Sequence, residues 1–162
     1  MKRLFFPLLL VFLAAELFAQ NLTALETRII SAGPEEMLRM VMDRNLEQDF
    51  LDIYYKFEDR EFHEFFPEYM AVFSGVTEEE CLFIVLKVAL VAALGSGDIY
   101  STEEALDFLD FFGEISSAEN RSEMPDDLLE LMESSRYWQD IIAFYRILDP
   151  EAFFRKRFPE NF

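Results

Sequence analysis

The chain has one histidine and one cysteine, so a Ser-His-Asp or Cys-His mechanism would have to use His63. His63 stands in Glu61-Phe62-His63-Glu64-Phe65-Phe66, where nothing supports such a pairing, and it reads as a solvated histidine on an acidic helix. Asp59, Glu61, His63 and Glu64 are possible metal donors, but the two-histidine spacing of a recognisable zinc helix is missing. Paired carboxylates could do general acid-base work. Among 32 Asp and Glu residues, however, a pair has almost no diagnostic value. No catalytic residue, cofactor or metal ligand is therefore assigned, and the sequence leans towards binding rather than catalysis.

Two clusters could bind. Tyr54, Tyr55, Phe57, Phe62, Phe65, Phe66, Tyr69 and Phe73 crowd a short stretch. Core packing is their first use; the alternative is an apolar ligand pocket or an exposed docking patch, with Tyr54, Tyr55, Phe62, Phe65, Phe66 and Tyr69 as the contacts. At the other end, Arg155, Lys156 and Arg157 lie among Phe153, Phe154, Phe158 and Phe162, a candidate basic docking element. Cations at a helix C-terminus and phenylalanines closing the chain's own core would give the same pattern. Glu103, Asp107, Asp110 and Glu114 form a ladder of like charges along one helix face. Such a ladder is a solvated face, or the place where a basic partner or divalent cation binds.

The N-terminus bears on compartment. Lys2-Arg3, an apolar run from Leu4 to Ala15, and Leu17-Phe18-Ala19 before Gln20 have the tripartite layout of a secretory signal peptide, residues 1–19. Pro7 and Glu16 interrupt the run, which makes an uncleaved N-terminal anchor the second choice. Removing 1–19 leaves 12 basic and 31 acidic side chains, a formal net charge of −19 against −18 for the full chain. That balance repels nucleic acid and anionic lipid and suits basic partners or cations. Disordered acidic chains are poor in apolar residues, whereas 52% of this one is hydrophobic. Residues 20–162 can bury a core and suit a single domain. With Cys81 alone, that domain has no intramolecular disulfide, and Cys81 reads as a buried, inert thiol.

The elements that must position these residues are helices, because Val and Ile are sparse and no stretch alternates over a strand length. Thr77 to Glu80 and Ser101 to Glu104 each form a capping-box signature before apolar residues. Gly33-Pro34 separates a helix near Leu22 to Ser31 from one beginning at Pro34, and Gly95-Ser96-Gly97 ends the helix that starts after Thr77. Pro125 opens a long amphipathic helix to about Leu148, with Leu128, Leu131, Met132, Trp138, Ile142 and Tyr145 along one stripe. Asp149-Pro150-Glu151 starts a last helix, which Pro159 stops. Residues 78–94 are apolar on every side except at Lys87, too short and interrupted for a membrane span, and therefore a central buried helix. The expectation is an all-α domain of about six to eight helices around that hub.

Gly97-Asp98-Ile99 through Glu103 resembles the second half of an EF-hand loop. The positions of the family's leading acids hold Ala92, Leu94 and Ser96, so calcium is not an expected ligand. The apolar helix, Gly-Asp turn and Glu-rich helix are similar to the TerB-like helical fold over about thirty residues, without that family's acidic cluster. Asn21-Leu22-Thr23 and Asn120-Arg121-Ser122 are glycosylation sequons where the source modifies exported proteins. The functional expectation is an exported acidic helical protein acting by binding, through a protein partner of the cell envelope or extracytoplasmic space. A carrier of a small apolar ligand and a carboxylate-based hydrolase are the rivals.

Overall fold

The computed structural model describes residues 22–73, 75–97 and 122–157 with the isolated positions 107, 114 and 159, the side chains of 62, 63, 150 and 151 excepted. The predicted N-terminal segment, the Ser101 capping box, Asp98 to Glu103, Glu103 and Asp110 of the acidic ladder, both sequon asparagines, Phe158 and Phe162 lie outside the described residues. Asp107 and Glu114 are each helical and exposed.

Eight α-helices and one 3-10 turn make up the described chain, with no strand among these residues. Helix α1 (Ala24–Ser31) opens on a capping box. The Thr23 hydroxyl accepts the Glu26 N–H at 3.1 Å, and the Glu26 carboxylate accepts the Thr23 N–H at 2.7 Å. Gly33 and Pro34 then start α2 (Pro34–Met42) with proline in the first turn, where its missing N–H costs nothing. Asp43 accepts the Asn45 N–H to begin the 3-10 turn Arg44–Leu46. Next come α3 (Glu47–Glu58) and α4 (Phe62–Val72).

The hub is α5 (Glu78–Ser96), two residues longer than predicted, capped by the Thr77 hydroxyl at the Glu80 N–H and ended by Gly97 at φ +75°. From Cys81 to Ser96 every residue is buried except Leu82 and Leu86, which are half-buried. Helices α1, α2, α3, α4 and α7 all pack against it. Each large apolar side chain buried here contributes about 1.5–3 kcal/mol. Gly95 sets the closest approach: a methyl in its place would come within 2.3 Å of the buried Phe50 ring on α3. No described helix is long and apolar enough to cross a membrane.

The predicted continuous helix from Pro125 to Leu148 is instead two helices, α6 (Asp126–Ser134) and α7 (Arg136–Ile147). Ser135 breaks them. Its backbone is extended (φ −72°, ψ 119°), and its hydroxyl accepts the Trp138 N–H to cap α7. The Gln139 side chain donates to the freed carbonyl of Met132 at 3.0 Å. A serine inside an apolar stripe competes for the backbone, and here the cap prevails over propagation. After Leu148, α8 (Pro150–Arg157) brings Phe153 and Phe154 edge to face in the core.

Candidate functional site

Two buried ion networks and an open apolar groove are the candidate features among the described residues. Lys87, the apparent interruption of the central helix, is fully buried. Its Nζ donates to Ile30 O at 3.1 Å, Ala32 O at 2.6 Å and Asp140 Oδ2 at 2.8 Å. An ammonium has three protons, and here each finds an acceptor. Two of these acceptors are carbonyls at the C-terminal end of α1, so one lysine caps α1 and joins it to α5 and α7. Burial pulls the Lys87 ammonium below the usual lysine range, while Asp140 pushes the other way.

Glu26 is the second fully buried charge. Besides its cap to Thr23, its carboxylate accepts from Lys56 Nζ at 3.0 Å and from the Tyr69 hydroxyl at 2.8 Å. Lys56 also faces Glu68 at 3.6 Å, and Glu68 accepts from Arg60 at 2.8 Å. Burial and then the Glu26 charge push the Tyr69 phenol far above its ordinary range, so Tyr69 stays a donor. The cluster ties α1, α3 and α4 together.

The structure divides the predicted aromatic contacts. Phe65 and Tyr69 are fully buried, and Phe65 lies between the Phe57 ring, stacked at 4.3 Å, and the Arg60 guanidinium at 4.2 Å. Tyr54 and Phe66 are half-buried, and Tyr55 is exposed, with its ring tilted 5.9 Å from that of Tyr54. The side chains of Phe62 and His63 fall outside the described set. Of the neighbouring metal candidates, Glu64 pairs with Arg60 instead. Among the described residues, no three His, Cys, Asp or Glu side chains gather as a cation site. Ala92, Leu94 and Ser96, at the leading EF-hand positions, are buried on α5 rather than placed on a loop.

The basic trio also divides. Arg157 is 3% exposed; its guanidinium donates to Glu47 at 2.8 Å and to Gly95 O at 3.3 Å, while its own carbonyl accepts from Arg44. It holds α8 to α5 and to the start of α3. Arg155 and Lys156 are exposed. Beside Lys156, an open groove of about 220 Å³ runs between α2, α7 and α8, floored by Leu38, Met42, Ile147, Leu148, Ala152 and Phe153. Its other polar lining residue, Asp149, caps α8 at the Ala152 N–H. Ile147 is 44% exposed there, one of three large apolar side chains exposed on the described surface. Most of its lining comes from the consecutive stretch from Ile147 to Lys156, and Leu38 and Met42 of α2 complete it from far away in the chain.

Cys81 is buried, its thiol 3.7 Å from the Phe66 carbonyl, and burial followed by the Glu78 charge pushes it from 9.0 up to about 11. The unfolded thiol thus ionises first. Its contribution to stability is complete below pH 9 and is lost as pH rises towards about 11. Melting temperatures across that range should fall less steeply for Cys81→Ala than for the parent chain. Every other group is common to both proteins, so the difference isolates the thiol; parallel curves would refute its role.

No protein-family model, curated protein or solved structure matches the chain. The partial EF-hand and TerB-like likenesses accordingly bring no activity to it.

Proposed function

We propose that this chain is an exported binding protein that docks another protein of the cell envelope or extracytoplasmic space. The observation that carries this reading is the groove of α2, α7 and α8, an apolar surface left open to solvent and edged by Lys156 and Asp149. The layout of residues 1–19 supports export.

The rival readings meet specific obstacles. A carrier would need room at the aromatic cluster, where Phe65 and Tyr69 are engaged by Phe57, Arg60 and Glu26. A hydrolase would draw on Glu26 and Glu68, the carboxylates that converge on Lys56. Both Glu26 oxygens already accept protein hydrogen bonds and the side chain is fully buried, so a substrate has no route to Glu26, and Glu68 alone is not a carboxylate pair.

The test is a photo-crosslinking residue at position 147 in the chain expressed in its native compartment, with intact-mass measurement of the recovered protein. A chain beginning at Gln20 and crosslinked to one distinct extracytoplasmic protein is the expected result. A mass retaining Met1 to Ala19 would overturn cleavage. A processed chain that forms adducts with no other protein would overturn docking.

A further inference from the structure

Export, as read above, sets the chemistry of a new amino terminus. Cleavage after Ala19 makes Gln20 the first residue, followed by Asn21, Leu22 and Thr23. Gln20 and Asn21 lie outside the described residues, and the described fold opens at Leu22, which is half-buried. One residue on, Thr23 fastens α1. Its hydroxyl accepts from Glu26, its N–H donates to the Glu26 carboxylate, and its carbonyl accepts the Thr27 N–H at 3.1 Å. The cap is complete within Thr23 to Thr27. A cation near the positive end of a helix adds no stability to it, so this cap has no need of the amine that cleavage frees.

We propose that Gln20, once terminal, closes on itself to pyroglutamate, so that the mature chain begins with a neutral lactam in place of an ammonium. The proposal rests on the export reading. The side-chain carbonyl carbon Cδ of a terminal glutamine is placed by covalent geometry to form a five-membered ring with its own α-nitrogen, so the step is intramolecular and needs no binding site. An α-amino group has an ordinary pKa of about 7.7–8.0, and at neutral pH its unprotonated minority is the nucleophile. The α-nitrogen attacks Cδ and forms the ring C–N bond. The bond from Cδ to Nε2 then breaks, an amine proton moves to Nε2, and ammonia leaves. Neither oxidant nor cofactor takes part.

The chain's two other glutamines cannot follow this course, because their α-nitrogens are peptide nitrogens whose lone pair is delocalised. Gln48 and Gln139 instead donate from their side-chain amides to Asp52 at 2.9 Å and to the Met132 carbonyl at 3.0 Å. Closure at Gln20 removes one positive charge from an already acidic chain, and it leaves no ammonium for an exopeptidase to grip ahead of the α1 cap.

The experiment takes the full chain expressed in its native compartment and reads the recovered protein by intact mass and by stepwise amino-terminal sequencing, before and after days at neutral pH. The expected mass is that of residues 20–162 less one ammonia. Sequencing should be blocked, and should start at Asn21 once a pyroglutamyl aminopeptidase has removed the first residue. Gln20→Ala should lose no ammonia and should sequence directly from position 20. Both chains should melt together, since the α1 cap is the same in each.

A chain that begins at Gln20, sequences directly and keeps its full mass after the incubation would overturn the proposal and leave export standing. An equal loss of ammonia from Gln20→Ala would also overturn it, by placing the loss elsewhere. Cleavage at another bond would remove the terminal glutamine and the proposal with it. Retention of Met1 to Ala19 would overturn both the proposal and the cleavage on which it rests.

Discussion

Lys87→Ala should cost about 3–5 kcal/mol of folding free energy, the range for breaking a buried charge pair by removing one member. The substitution leaves Asp140, which is 16% exposed, without its main cation, and leaves the carbonyls of Ile30 and Ala32 without the donor they share. It also opens a cavity where a four-carbon stem crossed the core of α5. Asp140→Ala should cost less, about 1–3 kcal/mol, because Lys87 retains both carbonyls and the site at position 140 reaches water. Domains are stable by about 5–15 kcal/mol, so the first loss is a large fraction of the total. Urea denaturation of the two variants checks the order. A Lys87→Ala midpoint close to that of the parent chain, or a larger loss for Asp140→Ala, would mean that the amine does not hold α1 to the hub.

Lys87 also shows where sequence reasoning reached its limit. The apolar surround of residues 78–94 identified the central helix and its length to within one turn, because local periodicity and the Thr77 cap are encoded in adjacent residues. The fate of a single lysine within it is not local. Its acceptors lie 53 to 57 residues away, at Ile30, Ala32 and Asp140, and only packing brings them together. The same holds for Glu26. Thr23-Ala24-Leu25-Glu26 carries a capping-box signature as clear as that at Thr77, so the cap was legible; Lys56 and Tyr69 on the far side of that carboxylate were not.

Elsewhere a local signal was present and outweighed. Ser134-Ser135 in the middle of the stripe from Leu128 to Tyr145 is a cap signature within an amphipathic helix, and periodicity alone favours continuing through it. The structure places the cap first, turning α7 away from α6 so that Trp138 meets Phe83 at 5.2 Å. The groove depends on α8, whose Ala152, Phe153 and Lys156 line it. Most of its lining lies between Ile147 and Lys156, but Leu38 and Met42 join it from α2 only through packing. Arg155, Lys156 and Arg157 were legible as a cluster, but helix periodicity alone did not decide which would turn inward. The third, Arg157, meets Glu47 and Gly95 O, where Gly95 lets α3 lie close to α5.

A chain ending at Leu148 should lose about 6–10 kcal/mol, the sum expected for removing two buried phenylalanines at about 3–5 kcal/mol each. Phe153 and Phe154 are 5% and 4% exposed, and their removal uncovers apolar surface at Leu148, itself buried. Loss of Arg157 adds to this by freeing Glu47 and Gly95 O, although Glu47 is 44% exposed and can rehydrate. With a total stability of about 5–15 kcal/mol, the truncated chain should melt far earlier than the parent, or lose its cooperative transition. Calorimetry measures this directly. Arg155→Glu combined with Lys156→Glu is the counterpart, since both side chains are exposed and the pair should shift stability by less than about 1 kcal/mol. That contrast separates the two roles within one helix: the phenylalanines and Arg157 close the core, while Lys156 faces the groove. A truncation that melts with the parent chain would refute the structural role of α8.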